Sequence, residues 1–465
     1  MMAVDYDVIV IGGGPGGYVA AIRAAQRGLR TALVEREHLG GICLNWGCIP
    51  TKSLLHAAEA WQALGDLDAL GIHAGDRSFD LGKMIGRSRE VAGKLSQGVK
   101  HLLRKHRVAV VDGQARLAEL GRVVVESSNE SRSMTAKHVI IATGARPRDL
   151  PGSPANGTTI WNYRNALSPS SLPASLAVVG AGAIGMEFAS FYAALGTKVT
   201  VIEAQGRVLP TEDEEISKLV EKAYSKRGIE FLVGARIESV EQRDAELNLA
   251  IRDAQAQRTL TPQCMLVSIG VTPNTDALGL EAMGVLSDNG FIKVDGVGRT
   301  SREGLYGIGD VTGAPCLAHK AMHEALACID AIVDGASASS GHAPTIPACT
   351  YGHPQTASVG LSEDAAIAQG REVRVGRFPF QGNGKALAIG EADGFIKTVF
   401  DKESGELLGA HMVGPHVTEL VHSLTLAKEL EATEAELIQT VFPHPTLSEA
   451  IHESVLQAFD RAIHI

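Results

Sequence analysis

Cys43 and Cys48 stand five positions apart in the run Gly40-Gly41-Ile42-Cys43-Leu44-Asn45-Trp46-Gly47-Cys48-Ile49-Pro50-Thr51-Lys52. A helical pattern runs on from Thr51 to Leu64. A helix N-terminus, or a cation such as Lys52 close by, lowers a thiol pKa. Two plain buried cysteines or half a zinc site are the competing readings. Zinc takes CxxC pairs or Cys/His doublets, and no second cluster in the sequence completes one. A redox-active dithiol fits better, and the glycines around it suit the close approach of a flat cofactor. A second chemical signal lies near the other end, in Phe442-Pro443-His444-Pro445-Thr446-Leu447-Ser448-Glu449. A histidine between prolines has little backbone freedom, which suits a base that has to be aimed. Thr446 to Glu449 also fits a capping box opening the last helix, so Glu449 has a structural use as well as a chemical one.

Those groups need a frame, and the frame is written twice. Tyr6–Ile11 reads as a strand buried on both faces. Gly12, Gly14 and Gly17 follow as GxGxxG, then a helix from Tyr18 to Arg27 and a second strand, Thr31 to Glu35. The glycines allow a tight turn, approach to a pyrophosphate and close helix–strand packing; Glu35 stands where an acid binds a ribose hydroxyl pair. The unit recurs at Ala177–Val179, with Gly180, Gly182 and Gly185, a helix to Leu195, and Lys198–Ile202 ending at Glu203. First glycine to acid is 23 positions in both copies. Two such units imply two dinucleotides, and Glu203 would repel a 2′-phosphate, which predicts NAD rather than NADP at the second.

Elsewhere the pattern predicts helices at Leu54–Leu64 and about 81–106. Short strands follow at Val108–Val111, Val123–Val125 and His138–Ile141. The last of these runs into the turn of Thr143 and Gly144, a usual return to a ligand crevice. Prolines and small polar residues between Pro147 and Pro173 suggest a domain boundary. Ser268-Ile269-Gly270 and Gly307-Ile308-Gly309-Asp310 close the central part, where Asp310 could also be a turn residue or helix cap. Beyond residues 335–347 strands (Ala357–Gly360, Arg371–Phe378, Phe395–Phe400, Gly409–Val413) precede helices (416–430 and 434–440), as in an α+β domain.

The chain has 465 residues, 45% of them hydrophobic and 21% charged, enough for about three globular domains. A net charge of −10 disfavours nucleic acid or an anionic membrane as main partner. No apolar run approaches the roughly 20 residues of a spanning helix, and no basic leader precedes the first strand, so a cytoplasmic protein is expected. Six cysteines are too few for a secreted disulfide framework of this length.

GGICLNWGCIPTK resembles the active-site segment of the class I flavin-dependent pyridine nucleotide-disulfide oxidoreductases, and within them of the enzymes that oxidise dihydrolipoamide. The resemblance covers the whole chain: CxxxxC, two spaced dinucleotide units, ATG, GD and a C-terminal HPxxSE in the family's order. It implies an α/β fold of two Rossmann-like dinucleotide-binding domains plus a C-terminal α+β dimerisation domain. The FAD domain would be discontinuous (1–146 and 270–345), with an NAD domain at 147–269 and an interface domain at 346–465. One FAD per subunit and NAD+/NADH are the implied cofactors. Asp310 and Ala318 would lie on FAD, Lys52 near the flavin with Glu187 as its ion-pair partner, and Cys48 against the ring. Cys43 would meet the substrate, with His444 taking a thiol proton and Glu449 orienting the imidazole. The implied partners are a second copy of the chain, and the lipoyl domains and core acyltransferase subunit of a 2-oxo acid dehydrogenase complex. The departures separate relatives. The chain ends Arg461-Ala462-Ile463-His464-Ile465, without the cysteine pair of mercuric reductase or the larger thioredoxin reductases. Glu203 is acidic where glutathione reductase has arginines, and both redox cysteines are present, unlike in soluble transhydrogenases.

Overall fold

The computed structural model describes residues 4–464, except 74, 129, 244, 245, 255 and 336–343. The chain divides into two compact units, one of Met1–Ser53, Gly82–Arg148 and Gly270–Ala343, the other of Leu54–Leu81, Asp149–Ile269 and Pro344–Ile465.

In the first unit β1 (Tyr6–Ile11), α1 (Pro15–Gln26) and β2 (Thr31–Glu35) form the expected βαβ step. Two further helical pieces follow, α2 (Gly41–Trp46) and α3 (Cys48–Asp66), of which α3 passes into the second unit at Leu54; the long α4 (Leu81–Lys105) lies in the first unit from Gly82 on. The strands β3 (Ala109–Asp112), β4 (Gln114–Glu119), β5 (Arg122–Glu126) and β6 (Ser131–Ile141) complete the sheet, in the order β3-β2-β1-β6-β5-β4. β3, β2, β1 and β6 run parallel, whereas β4 and β5 form an antiparallel meander on β6. β6 spans eleven residues because its first half pairs with β5 and its second half with β1. The strand Leu305–Gly307 returns to pair with Val139–Ile141, which carries Asp310 to the same end of the sheet as Gly12. Val8, Ile9 and Val10 are fully buried, as parallel strands covered on both faces require.

Two expectations are corrected here. The helix expected from Thr51 starts at Cys48, because Pro50 falls in its first turn, where no N–H partner is lost. β4 was not expected: Gln114-Ala115-Arg116-Leu117-Ala118-Glu119 has weak strand propensity and is held by its pairing to β5.

In the second unit five parallel strands lie in the order Glu230–Val233, Lys198–Glu203, Ser175–Val179, Cys264–Val267, Ile160–Trp161. A three-stranded antiparallel sheet (Arg236–Arg243, Glu246–Arg252, Gln257–Leu260) follows the βαβ step. The C-terminal segment forms a five-stranded antiparallel sheet, with Ala348–Thr350 added at the edge to the four strands expected, and helices Val417–Glu429, Glu434–Gln439 and Glu449–Ala458. Lys397 of that sheet is buried, and its Nζ lies 2.8 Å from Asp213 Oδ2 and 2.6 Å from Glu215 Oε1 beside the helix Glu214–Lys226. That ionic joint fixes the nucleotide step of this unit to its C-terminal sheet.

Candidate active site

Gly12 ends β1 with φ +105° and Gly180 ends Ser175–Val179 with φ +99°. A side chain at either would run into a carbonyl oxygen of the neighbouring segment, Ala142 or Ser268. Gly17 and Gly185 lie against the carbonyls of Gly12 and Gly180, so a Cβ there would push the helix off the turn. The middle glycines are different. A Cβ on Gly182 would meet nothing within 4 Å, and one on Gly14 would meet Gly41 Cα at 4.0 Å. Open space in front of a helix N-terminus is what an anionic pyrophosphate needs, so the residues present fit one dinucleotide at each turn.

The acids repeat as faithfully as the glycines. Glu35 accepts the Gly13 N–H at 2.6 Å and the Glu37 N–H at 2.8 Å. Glu203 accepts the Ala181 N–H and the Gln205 N–H, both at 2.7 Å. Each carboxylate therefore braces its own glycine turn, a duty the spacing alone does not reveal, and keeps lone pairs for a ribose hydroxyl.

Around the first turn, Thr143 Oγ1 donates to the Asn274 carbonyl at 2.8 Å, and Asn274 Nδ2 returns a bond to the Thr143 carbonyl at 3.0 Å. Gly144 (φ +66°) has an open Cβ side, and so has Gly270 (φ +102°). A cavity of about 120 Å³ is lined here by Gly12, Glu35, Arg36, Gln114, Thr143 and Arg146, among others. Asn274 lines it too, and Gln114, Arg146 and Asn274 were not singled out by the sequence reading. The Asp310 carboxylate makes no hydrogen bond among the described residues, and burial pushes its carboxyl up, with Lys320 opposing and Glu324 adding to the shift. An unspent carboxylate of that kind suits a polyol hydroxyl. Ala318 opens the helix Ala318–Asp334.

The dithiol is stitched to the same turn. Gly40 N–H donates to the Gly13 carbonyl at 2.8 Å, and a Cβ on Gly41 (φ +58°) would lie 2.7 Å from Gly14 Cα. Only glycines let α2 come so close. Cys43 in α2 and Cys48 at the start of α3 are joined as a disulfide with Cα atoms 4.7 Å apart. Lys52 lies one turn further along α3.

In the second unit His444 Nδ1–H donates to Glu449 Oε1 at 2.9 Å. Oε2 of the same carboxylate accepts the Thr446 N–H at 2.9 Å, so Glu449 serves the helix start and the imidazole together. Burial alone would raise the Glu449 carboxyl, but the Thr446 N–H and the imidazole hold it below the usual carboxylate range. A carboxylate only accepts, so Nδ1 carries a proton, and in the neutral imidazole the lone pair is on Nε2. The His444 side chain is 79% exposed on its own chain. Glu187 is buried on the helix Ala183–Ala194 and accepts the Tyr351 N–H at 3.0 Å.

No helix among the described residues is long and apolar enough to cross a membrane. Residues 6–325 match the pyridine nucleotide-disulphide oxidoreductase family and residues 346–455 its dimerisation domain. The chain is 51% identical over 465 residues to a dihydrolipoyl dehydrogenase of Zymomonas mobilis and 47% identical over 480 to one of Rhizobium etli, each covering all of both chains. Among solved structures it is similar to LpdA from Mycobacterium tuberculosis (TM-score 0.89, 30% identity, 97% of this chain and 99% of that one). It is also similar to the flavoprotein disulfide reductase RclA from Escherichia coli (TM-score 0.86, 26% identity, 97% and 99%). With its turns, dithiol and imidazole–carboxylate pair in place, the chain belongs to the pyridine nucleotide-disulphide oxidoreductases, FAD-dependent enzymes that use NAD.

Proposed function

We propose that the chain is the dihydrolipoyl dehydrogenase component of a 2-oxo acid dehydrogenase complex. It oxidises dihydrolipoamide carried on a lipoyl domain, which docks from the complex and its acyltransferase core, and it works as a cytoplasmic homodimer. The observation that carries the reading is the Cys43–Cys48 disulfide stitched through Gly40 and Gly41 to a dinucleotide turn.

His444 Nε2 takes the proton of one substrate thiol. The thiolate attacks Cys43 Sγ, a mixed disulfide forms, and Cys48 leaves as a thiolate. The second substrate thiol closes the lipoyl ring and its proton goes to the departing Cys43 sulfur, so the enzyme holds a Cys43 thiol and a Cys48 thiolate, with two electrons gained by the enzyme and two lost by the substrate. Bound FAD supplies the passage of that electron pair from the dithiol to NAD+. Gly12, Gly14, Gly17, Glu35, Thr143, Gly144, Asp310 and Ala318 would hold FAD, with Lys52 near the flavin. Gly180, Gly182, Gly185, Glu187, Glu203 and Gly270 would serve NAD. Steady-state assays decide the substrate: NAD+ reduction with dihydrolipoamide is expected, and NADH oxidation with glutathione disulfide is not. The reverse outcome would make it a reductase of a small disulfide.

Glu203 sets the nucleotide. Glu203→Ala would also loosen the turn that the carboxylate braces, so Glu203→Gln, which keeps an acceptor and removes the charge, is the cleaner test. A hydrogen bond to a charged group is worth about 1.5–3 kcal/mol, so the NAD+:NADP+ preference should fall about tenfold or more. An unchanged ratio would place the determinant elsewhere.

A further inference from the structure

Asn45 and Trp46 lie between the two redox cysteines, and one residue of α4 holds both. Arg89 Nη1 donates to the Asn45 carbonyl at 2.6 Å across 44 positions of sequence, and its guanidinium carbon lies 4.7 Å from the centre of the Trp46 ring. Asn45 is itself fixed, its Nδ2 donating to the carbonyls of Leu39 and Gly41. Arg89 Nε and Nη2 are buried and make no hydrogen bond among the described residues. Burial lowers the guanidinium pKa, yet a guanidinium keeps its charge in proteins.

Among the described residues no carboxylate pairs with that charge. Glu90, next along α4, pairs with Lys94 at 2.7 Å. Glu35 on β2 accepts the Gly13 and Glu37 N–H groups and makes no ion pair with Arg89 among the described residues. Lys52 on α3 adds a second cation, Arg87 on α4 is exposed, and His38 gives its carbonyl to the Gly41 N–H. A half-buried cation without a counter-charge is less favourable beside a neutral disulfide than beside an anion. The dithiol loop becomes anionic in one state only. Opening the disulfide with a substrate dithiol takes up two electrons, leaves one thiol and one thiolate on the enzyme, and releases one proton.

We propose that Arg89 is a positioning residue for the dithiol: it clamps the Asn45–Trp46 segment between the two cysteines and sets a partly buried positive charge against the loop, favouring the thiolate that forms when the disulfide opens. The clamp uses the planar face and the fork of arginine, while the electrostatic part of the role needs only its charge.

The inference rests on the redox dithiol assigned above, and its test avoids the lipoyl substrate. The holoenzyme is reduced with a phosphine, and iodoacetamide labelling of the Cys43 and Cys48 peptides is followed by mass spectrometry across pH. In Arg89→Gln the apparent pKa of the faster-labelling sulfur should rise by about one unit, a tenfold loss of thiolate at a fixed lower pH. In a thiol redox buffer the reduced fraction should fall correspondingly, by tenfold in the equilibrium or about 30 mV. Arg89→Lys, which keeps the charge and loses the fork, should stay within about 0.3 unit of the parent. Identical labelling profiles in the Gln and Lys variants would overturn the proposal, since charge would then be without effect. If Arg89→Gln does not fold, Arg89→Lys alone decides, and a rise of a full unit in it sinks the electrostatic role. Loss of dihydrolipoamide turnover with an unshifted profile would count against Arg89, whereas a shifted profile in a parent that never oxidised dihydrolipoamide would count against the substrate assignment.

Discussion

His444→Gln should slow the oxidation of dihydrolipoamide by about 10²–10⁴-fold, the usual worth of a positioned acid–base group. Substrate thiols are protonated at neutral pH, and the thiolate is the nucleophile, so the proton has to leave before the disulfide opens. Glutamine fills much of the same volume and can still donate to Glu449 Oε1, but it has no lone pair to take a thiol proton. The reverse entry of electrons, from NADH into the bound flavin, involves no thiol proton and should be spared. Rapid-mixing measurements of the two half-reactions separate them. A loss confined to the dithiol side supports the assignment; equal losses on both sides would mean a damaged fold.

Glu449 gives the same experiment a pH arm. Its carboxyl sits below its ordinary value of 4.5, so it is fully ionised at neutral pH and holds the imidazole there. A carboxyl depressed on folding contributes stability above its ordinary value, and that contribution fades as the pH falls through the lower, folded one. Orientation of His444 should therefore persist throughout the neutral range, and the parent should lose it only in acid below 4.5.

The two dinucleotide turns were legible because they are local: the strain of Gly12 and Gly180, and the crowding of Gly17 and Gly185, come from atoms a few residues away or from the next segment of the sheet. The cysteine pair and HPTLSE were legible for the same reason, since His444 and Glu449 meet within one turn of chain. The bracing role of Glu203 was hidden because spacing reports where an acid stands and not what it accepts. Asn274 meets Thr143 across 131 positions and Arg89 meets Asn45 across 44, with no periodicity to announce either. β4 was missed because tertiary pairing overrode a weak propensity. What the sequence concealed is the supporting layer, whose members are chosen by long-range contact.

Mixing Cys43→Ser subunits with His444→Gln subunits should restore about a quarter of the parent activity from two inactive proteins. The His444 side chain is 79% exposed on its own chain and is held ready by Glu449, and it belongs to the second unit whereas the dithiol belongs to the first. A base that works on a thiol needs cover on its substrate side, and residues 346–455, which contain it, match the dimerisation domain of the family. If each subunit lends His444 to its partner's dithiol, the two-fold axis makes the loan reciprocal and one dimer holds two composite sites. Random reassortment then gives about half mixed dimers, each with one doubly damaged site and one intact site, which is the source of the quarter. Sites built within single subunits would each carry one lesion, and activity would stay at the level of the parents. Subunit exchange is verified by a mass tag on one variant, so that absence of recovery with exchange demonstrated would eliminate the shared site.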